Sequence, residues 1–162
     1  LWHKVCGDNM IRLGISAYGL NPSGREITKL PYSLKPALSL TSELTHVKLV
    51  PKGHSIGYGA TYQTQGDEWI GTVPVGYADG ISRRMQGFKV LVDGNFCPIV
   101  GRVCMDQLMI KLPKKYDYQT KVVFIGESGN ERITVDDIAS YVGTINYEVI
   151  CGFSTRLKRK FV

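Results

Sequence analysis

No stretch of this chain approaches the roughly 20 consecutive apolar residues that a membrane helix needs, so no segment reads as a helical span. The cysteines are few and scattered. Cys6, Cys97, Cys104 and Cys151 form no C-x-x-C pair and sit in apolar surroundings, which favours neither a disulfide framework nor a zinc site and makes a reducing cytoplasm the default compartment. His3, His46 and His54 lack metal-ligand spacing and read as surface or packed side chains, so no metal site is assigned. There is no internal repeat and no low-complexity tract. The opening Leu1-Trp2-His3 carries neither an initiator methionine nor a signal-like apolar run, and the expectation is a piece excised from a longer protein. Helical patterns do not alternate with strands, which disfavours a doubly wound α/β sheet.

What is present is ordinary globular composition. With 43% hydrophobic and 21% charged residues, a chain of 162 residues can build one domain with a real core. The formal net charge of +6 marks either a nucleic-acid surface or a socket for an anionic cofactor, substrate or acidic partner domain. Its distribution favours the socket. Basic residues are dispersed apart from Arg156-Leu-Lys-Arg-Lys160, and that tail lacks the interleaved aromatics that stack bases.

The most conspicuous stretch is Trp69-Ile-Gly-Thr-Val-Pro-Val-Gly-Tyr-Ala-Asp-Gly-Ile-Ser-Arg-Arg84, an apolar strand ending in a glycine-flanked tyrosine, an aspartate and two arginines. It presents Tyr77, Asp79 and Arg83 on irregular backbone anchored by a strand, where functional side chains concentrate. Asp79 reads as fixing the loop or pairing an arginine. Upstream, Asp8 to Leu20 is a short apolar segment with Arg12 embedded in it, and such an arginine needs a partner. Asn21-Pro-Ser-Gly24 signals a turn or linker. Residues 37 to 50 alternate as a strand whose parity switches between Leu44 and Val47, as at a barrel corner. Ser55 to Tyr62 continues as a strand with Tyr58 between two glycines. Asp93-Gly94 between two apolar runs is a hairpin signal. Gly101 to Ile110 and Lys121 to Ile125 add strands, Thr134-Val-Asp-Asp137 opens a short helix, a second is expected from Thr144 to Cys151, and Ser154 to Val162 reads as a closing strand. The fold class expected is mainly β, closed or nearly closed into a barrel, with one or two short helices.

Five stretches together resemble the pyridoxal-phosphate-dependent alanine racemases: Met10 to Gly19, Gly57-Tyr-Gly-Ala-Thr-Tyr62, Gly76-Tyr-Ala-Asp-Gly80, Gly101-Arg-Val-Cys-Met-Asp106 and Thr144-Ile-Asn-Tyr-Glu148. The resemblance covers nearly the whole chain in order and spacing. It implies the C-terminal part of such an enzyme: residues 1–31 as the remnant of an N-terminal (β/α)8 barrel, its last strand, with the linker, and 32–162 as the C-terminal β-barrel domain. The lysine that binds pyridoxal 5'-phosphate lies outside this chain, so the piece alone is expected to be inactive, with its first thirty or so residues displaced or packed on a neighbour.

The implied activity is interconversion of L- and D-alanine for peptidoglycan by two bases, one on each face of the α-carbon, because the proton must leave one face and return to the other. The resemblance makes Tyr58 one of those bases. A phenol with an unperturbed pKa near 10 needs cationic neighbours to serve as one at neutral pH. Arg12 falls on the arginine facing the cofactor's pyridine nitrogen, Gly14 and Ile15 on backbone amides that hold its phosphate, and Tyr147 on a tyrosine reaching the same phosphate. Met105 matches the residue whose amide meets the substrate carboxylate, while Tyr77, Arg83 and Arg102 line the entrance. Tyr58, Tyr77, Arg83, Arg102 and Met105 are implied to act on the cofactor of the other subunit in a head-to-tail homodimer, with neither nucleic acid nor membrane as partner. Lys158 departs from the family pattern, where proline is usual, and puts the path of the final strand in doubt. A serine or broad-specificity racemase is the neighbouring alternative, and a basic β-barrel RNA-binding module the more distant one.

Overall fold

The computed structural model describes residues 7, 9–24 and 32–161. In chain order these form β1 (Leu40–Glu43), β2 (His46–Val50), β3 (Ser55–Ile56), β4 (Tyr62–Gln63), β5 (Glu68–Val73), β6 (Lys89–Val92), β7 (Asn95–Val100), β8 (Leu108–Leu112), β9 (Lys121–Ser128), β10 (Glu131–Ile133), α1 (Val135–Val142) and α2 (Asn146–Cys151). The main sheet runs β1-β9-β6-β7-β8-β5-β2, with β10 on β9, while β3 and β4 pair only with each other. Every pairing is antiparallel.

The mainly β class with two short helices is as expected, and the sheet is not closed by a strand ladder. Its two ends are nevertheless one piece of chain. β1 and β2 are separated by Leu44 and Thr45 alone, and the corner is held from both sides. Leu44 N–H donates to Thr120 C=O at 2.9 Å, Gln119 N–H to Leu44 C=O at 2.8 Å, and Thr45 N–H to Thr72 C=O at 3.0 Å. Leu44 is fully buried, and the parity switch in the sequence falls at this corner. β7 turns a second corner: its first four residues pair with β6, and Ile99 and Val100 pair with β8. The two halves of the sheet enclose Leu44, Val73, Leu91, Ile99, Leu108, Ile110 and Phe124.

The Asp93-Gly94 hairpin is as read, with Val92 opposite Asn95 and φ of 50° and 73° at the two turn residues. α1 begins at the expected box: Asp137 N–H donates to Thr134 Oγ1 at 3.1 Å, and Thr134 N–H to the Asp137 carboxylate at 2.7 Å. Its C-terminal end carries a cap not foreseen, Arg84 Nη1 donating to Val142 C=O at 3.1 Å, where a cation suits the helix dipole.

Several expectations are corrected. Residues 10–14 are irregular and Ile15–Tyr18 form a 3-10 turn, because a strand needs a neighbour for its N–H and C=O groups and none stands beside them among the described residues. Ile15 and Leu20 are buried in this chain's own core, so these two side chains are not displaced. Gly101 to Gln107 is irregular, with strand pairing starting at Leu108. α2 begins at Asn146, and Thr144 instead bonds the Glu148 carboxylate. Residues 154–161 form no strand; Leu157 N–H turns back to Ser154 C=O at 3.2 Å, and side chains hold the tail in place of a ladder.

Candidate active site

Two loops and the segment beneath them bring four of the candidate residues together. In the first loop, Tyr77 and Ala78 donate their N–H groups to the carbonyls of Cys104 and Met105 at 3.0 and 2.8 Å. Gly76 makes that approach possible, since a Cβ there would stand 2.3 Å from Cys104 C=O and 2.5 Å from Met105 C=O. Asp79 stiffens the loop as read: it is buried, accepts from Gly76 N–H at 2.9 Å and pairs with Arg156 Nε at 3.2 Å. Tyr77 and Met105 are left about half exposed on the resulting joint.

The second loop corrects the strand expected at Tyr58. The chain leaves β3 into a 3-10 turn, Tyr58–Ala60, before entering β4, with φ of 72° at Gly57, 71° at Gly59 and 49° at Ala60. Consecutive positive φ values are incompatible with a strand and lift Tyr58 outward to 72% exposure. The turn rests on the residues just before Cys104. A Cβ at Gly57 would lie 3.3 Å from Arg102 N and 3.6 Å from Gly101 Cα, and one at Gly59 3.3 Å from Arg102 Cζ. Residues 101–105 therefore underlie both loops, and Tyr58, Tyr77, Arg102 and Met105 share one surface. Arg83 is exposed in a 3-10 turn, Arg83–Met85, and no bond joins it to these four among the described residues. Cys104, buried beside the loops, has its thiol pushed up by burial and by the Asp106 charge, which keeps it protonated.

One cluster at this surface was missed from sequence. Glu68 is buried, and its carboxylate accepts from Tyr62 Oη at 2.6 Å, Lys111 Nζ at 2.9 Å and Gln65 N–H at 3.1 Å. Burial alone would raise the Glu68 pKa, but the bonds from Tyr62, Lys111 and Gln65 outweigh it and hold it below the usual value. Burial and the bond and charge of Glu68 push Tyr62 up to about 12. The signal available in sequence was Lys111, a lone cation in the apolar run Leu-Met-Ile-Lys-Leu, which calls for a carboxylate.

No hydrogen bond links Arg12, Gly14, Ile15 or Tyr147 to those residues among the described residues. Arg12 and Gly14 are exposed, and a Cβ at Gly14 would meet nothing within 4 Å. Ile15 opens the 3-10 turn with its side chain buried. Tyr147, at the first turn of α2, lines a cavity of about 280 Å³ with Gly24, Asp136 and Asn146. Asn146 Nδ2 clasps α2 to the preceding segment, donating to Asn21 C=O and Asp136 Oδ1, both at 2.9 Å.

Comparison with known proteins matches this arrangement to a family. The family model described as alanine racemase, C-terminal domain, matches residues 37–161. The chain belongs to the alanine racemase family. It is 60% identical over 159 residues to the alanine racemase of Pediococcus pentosaceus, an alignment covering 98% of this chain and 42% of that protein. The structure of the E. faecalis alanine racemase superposes with a TM-score of 0.93 at 55% identity, over 95% of this chain and 41% of that one. A histidine racemase from Leuconostoc mesenteroides superposes at 0.87 and 37% identity, over 93% and 41%. The chain thus spans about two fifths of the length of the relatives it matches.

The second group fits the family's anionic cofactor by the chemistry of its donors. A guanidinium, a phenol hydroxyl and the first N–H groups of a helical turn, which the turn itself does not take up, are all donors suited to a phosphate and a ring nitrogen. None of the four residues carries a carboxylate that would repel it.

Proposed function

We propose that this chain is the C-terminal part of a cytoplasmic, pyridoxal-phosphate-dependent racemase that interconverts L- and D-alanine for peptidoglycan synthesis, with Tyr58 as the base on one face of the substrate. Residues 1–31 are the end of an N-terminal (β/α)8 barrel and its linker, and 32–162 the β-rich domain. The observation that carries this reading is the contrast between two phenols four residues apart. Tyr62 is bound to Glu68 at 2.6 Å and raised to about 12, whereas Tyr58 is 72% exposed on a turn with a guanidinium beneath it.

When bound, the cofactor supplies the electron sink that acidifies the α-hydrogen. Tyr58 Oη takes or returns the proton on one face, and the Arg102 guanidinium lies beneath its turn. Met105 is oriented for the substrate carboxylate through its peptide: the Cys104 C=O accepts from Tyr77 N–H, and a trans peptide aims the Met105 N–H the opposite way, out of the joint. Tyr77, with Arg83 and Arg102, forms an entrance whose positive charge draws in carboxylates. Arg12 would donate toward the cofactor's ring nitrogen, and the Gly14 and Ile15 amides with the Tyr147 hydroxyl would hold its phosphate. The two groups share no hydrogen bond among the described residues, and in the head-to-tail homodimer that the family resemblance implies the Tyr58 group would serve the partner's cofactor.

The test is the full-length protein assayed for interconversion of L- and D-alanine, with serine and histidine in parallel. Alanine turnover that Tyr58→Phe reduces by several orders of magnitude, with cofactor absorbance retained, supports the reading. Faster turnover of serine or histidine would replace the substrate, and unchanged turnover in Tyr58→Phe would remove the base.

A further inference from the structure

The turn carrying Tyr58 is held against residues 101–102 by packing and not by a strand ladder. β3 and β4 pair through two residues each and form no ladder with the main sheet, and an isolated two-stranded hairpin is marginal in water. At its base, the buried Thr64 bonds the chain around Pro51 and His54, its Oγ1 donating to Pro51 C=O at 2.7 Å and accepting from His54 N–H at 2.9 Å. Nearer the turn, Ile56 packs in a small cluster with Val50, Ile70 and Val100, against which Tyr62 is half-buried. On the exit side Thr61 Oγ1 donates to Gln86 Oε1 at a long 3.5 Å, and Tyr62 Oη donates to Glu68 at 2.6 Å, a short phenol–carboxylate bond of the stronger, charge-assisted kind.

From this we infer that Glu68 is a positioning residue for Tyr58, acting through Tyr62: its carboxylate ties the loop of the base to the rigid main sheet and fixes where the Tyr58 hydroxyl meets the substrate. Glu68 is suited to the task because it belongs to both bodies. It is the first residue of β5, opposite Val50 of β2, and its second oxygen is fixed by Lys111 of β8 and by Gln65 N–H. Joining β5 to β8 does not require it. The Lys111 side chain of the pair is 42% exposed, and a solvent-screened ion pair adds little to the strand pairing. What an apolar pair in its place would lack is a directional bond to the Tyr62 hydroxyl. That bond also keeps Tyr62 protonated and turned inward, so the second phenol of the hairpin does not compete as a base. The inference rests on Tyr58 being the base proposed above.

The test uses the full-length, cofactor-loaded enzyme and follows solvent deuterium entering the α-position of L-alanine and of D-alanine separately, with thermal denaturation of each variant alongside. Tyr62→Phe removes only the hydroxyl. Misplacement of a reacting group by about 1 Å can lower a rate by about 10²-fold, so exchange on the Tyr58 face is expected to fall by about tenfold or more. Exchange on the opposite face, served by the other base, stays within about twofold, a split that general loosening of the fold would not produce. Glu68→Leu reproduces the loss, and Glu68→Gln, which still accepts from Tyr62, recovers most of it. Equal loss on both faces, or none on either, would overturn the inference while Tyr58→Phe in the same assay still silences its own face. If Tyr58→Phe leaves both faces intact, the base assignment and this inference fall together.

Discussion

The guanidinium of Arg102 lies flat against the backbone of Gly59, so that a Cβ on Gly59 would stand 3.3 Å from Cζ and 3.5 Å from each terminal nitrogen. A cation thereby lies beneath the turn that presents Tyr58.

Gly59→Ala forces that relationship apart. The residue sits at φ 71°, where alanine is strained by about 1–2 kcal/mol, and its new methyl group presses on Arg102. The full-length enzyme should lose about tenfold or more in kcat/KM while its thermal midpoint falls by only a few degrees, since the turn is exposed. Steady-state kinetics with a melting curve checks both.

Asp79 and Arg156 should respond unequally to removal. Asp79 is buried and also accepts from Gly76 N–H, so Asp79→Ala is expected to destabilise by about 2–3 kcal/mol. Arg156 is 55% exposed, and Arg156→Ala should change stability by less than about 1 kcal/mol. Urea unfolding of the two variants measures the difference.

The Tyr62–Glu68 pair sets limits at both ends of the pH scale. Glu68 is held below its ordinary value, so its contribution to stability is complete above the unfolded pKa and is lost as pH falls through the folded one. Tyr62 is raised from 10.0 to about 12, so its contribution is complete below pH 10.0 and is lost as pH rises to about 12. In a phenolate difference titration of wild type against Tyr62→Phe, the missing phenol should titrate near 12; a midpoint at the ordinary value of 10.0 would show the bond to be absent.

Leu44→Ala should destabilise by about 2–5 kcal/mol, because the side chain is fully buried at the corner where the two ends of the sheet meet. Denaturant unfolding checks the magnitude.

Sequence reading reached the strands that carry their own signal. Asp93-Gly94 dictates a tight turn, and the parity switch around Leu44 marks a corner, because these depend on residues adjacent in the chain. It failed where a partner decides. Ser154 to Val162 reads as a closing strand, but residues 154–161 pair with no strand among the described residues, and Tyr58 reads as strand because glycine spacing does not reveal the sign of φ. Asp79 was legible as a loop anchor, although its partner Arg156 is 77 residues distant, known only from the fold. Glu68 was not, since Tyr62 and Lys111 converge on it from two other strands. The site residues themselves were named by resemblance, and what the fold adds is that residues 101–105 underlie both loops.

The assignment of Tyr58 is tested most directly by solvent-deuterium exchange into L- and D-alanine with the full-length wild type and Tyr58→Phe. L- and D-alanine have equal free energies, so a variant must lose kcat/KM equally in both directions, and turnover cannot say which face has lost its base. Exchange can. The expected result is that Tyr58→Phe loses exchange at the α-hydrogen of one enantiomer, by about 10²-fold or more for removal of a general base, while the other enantiomer still exchanges without racemising. Exchange into both enantiomers at the wild-type rate would contradict the role given to Tyr58.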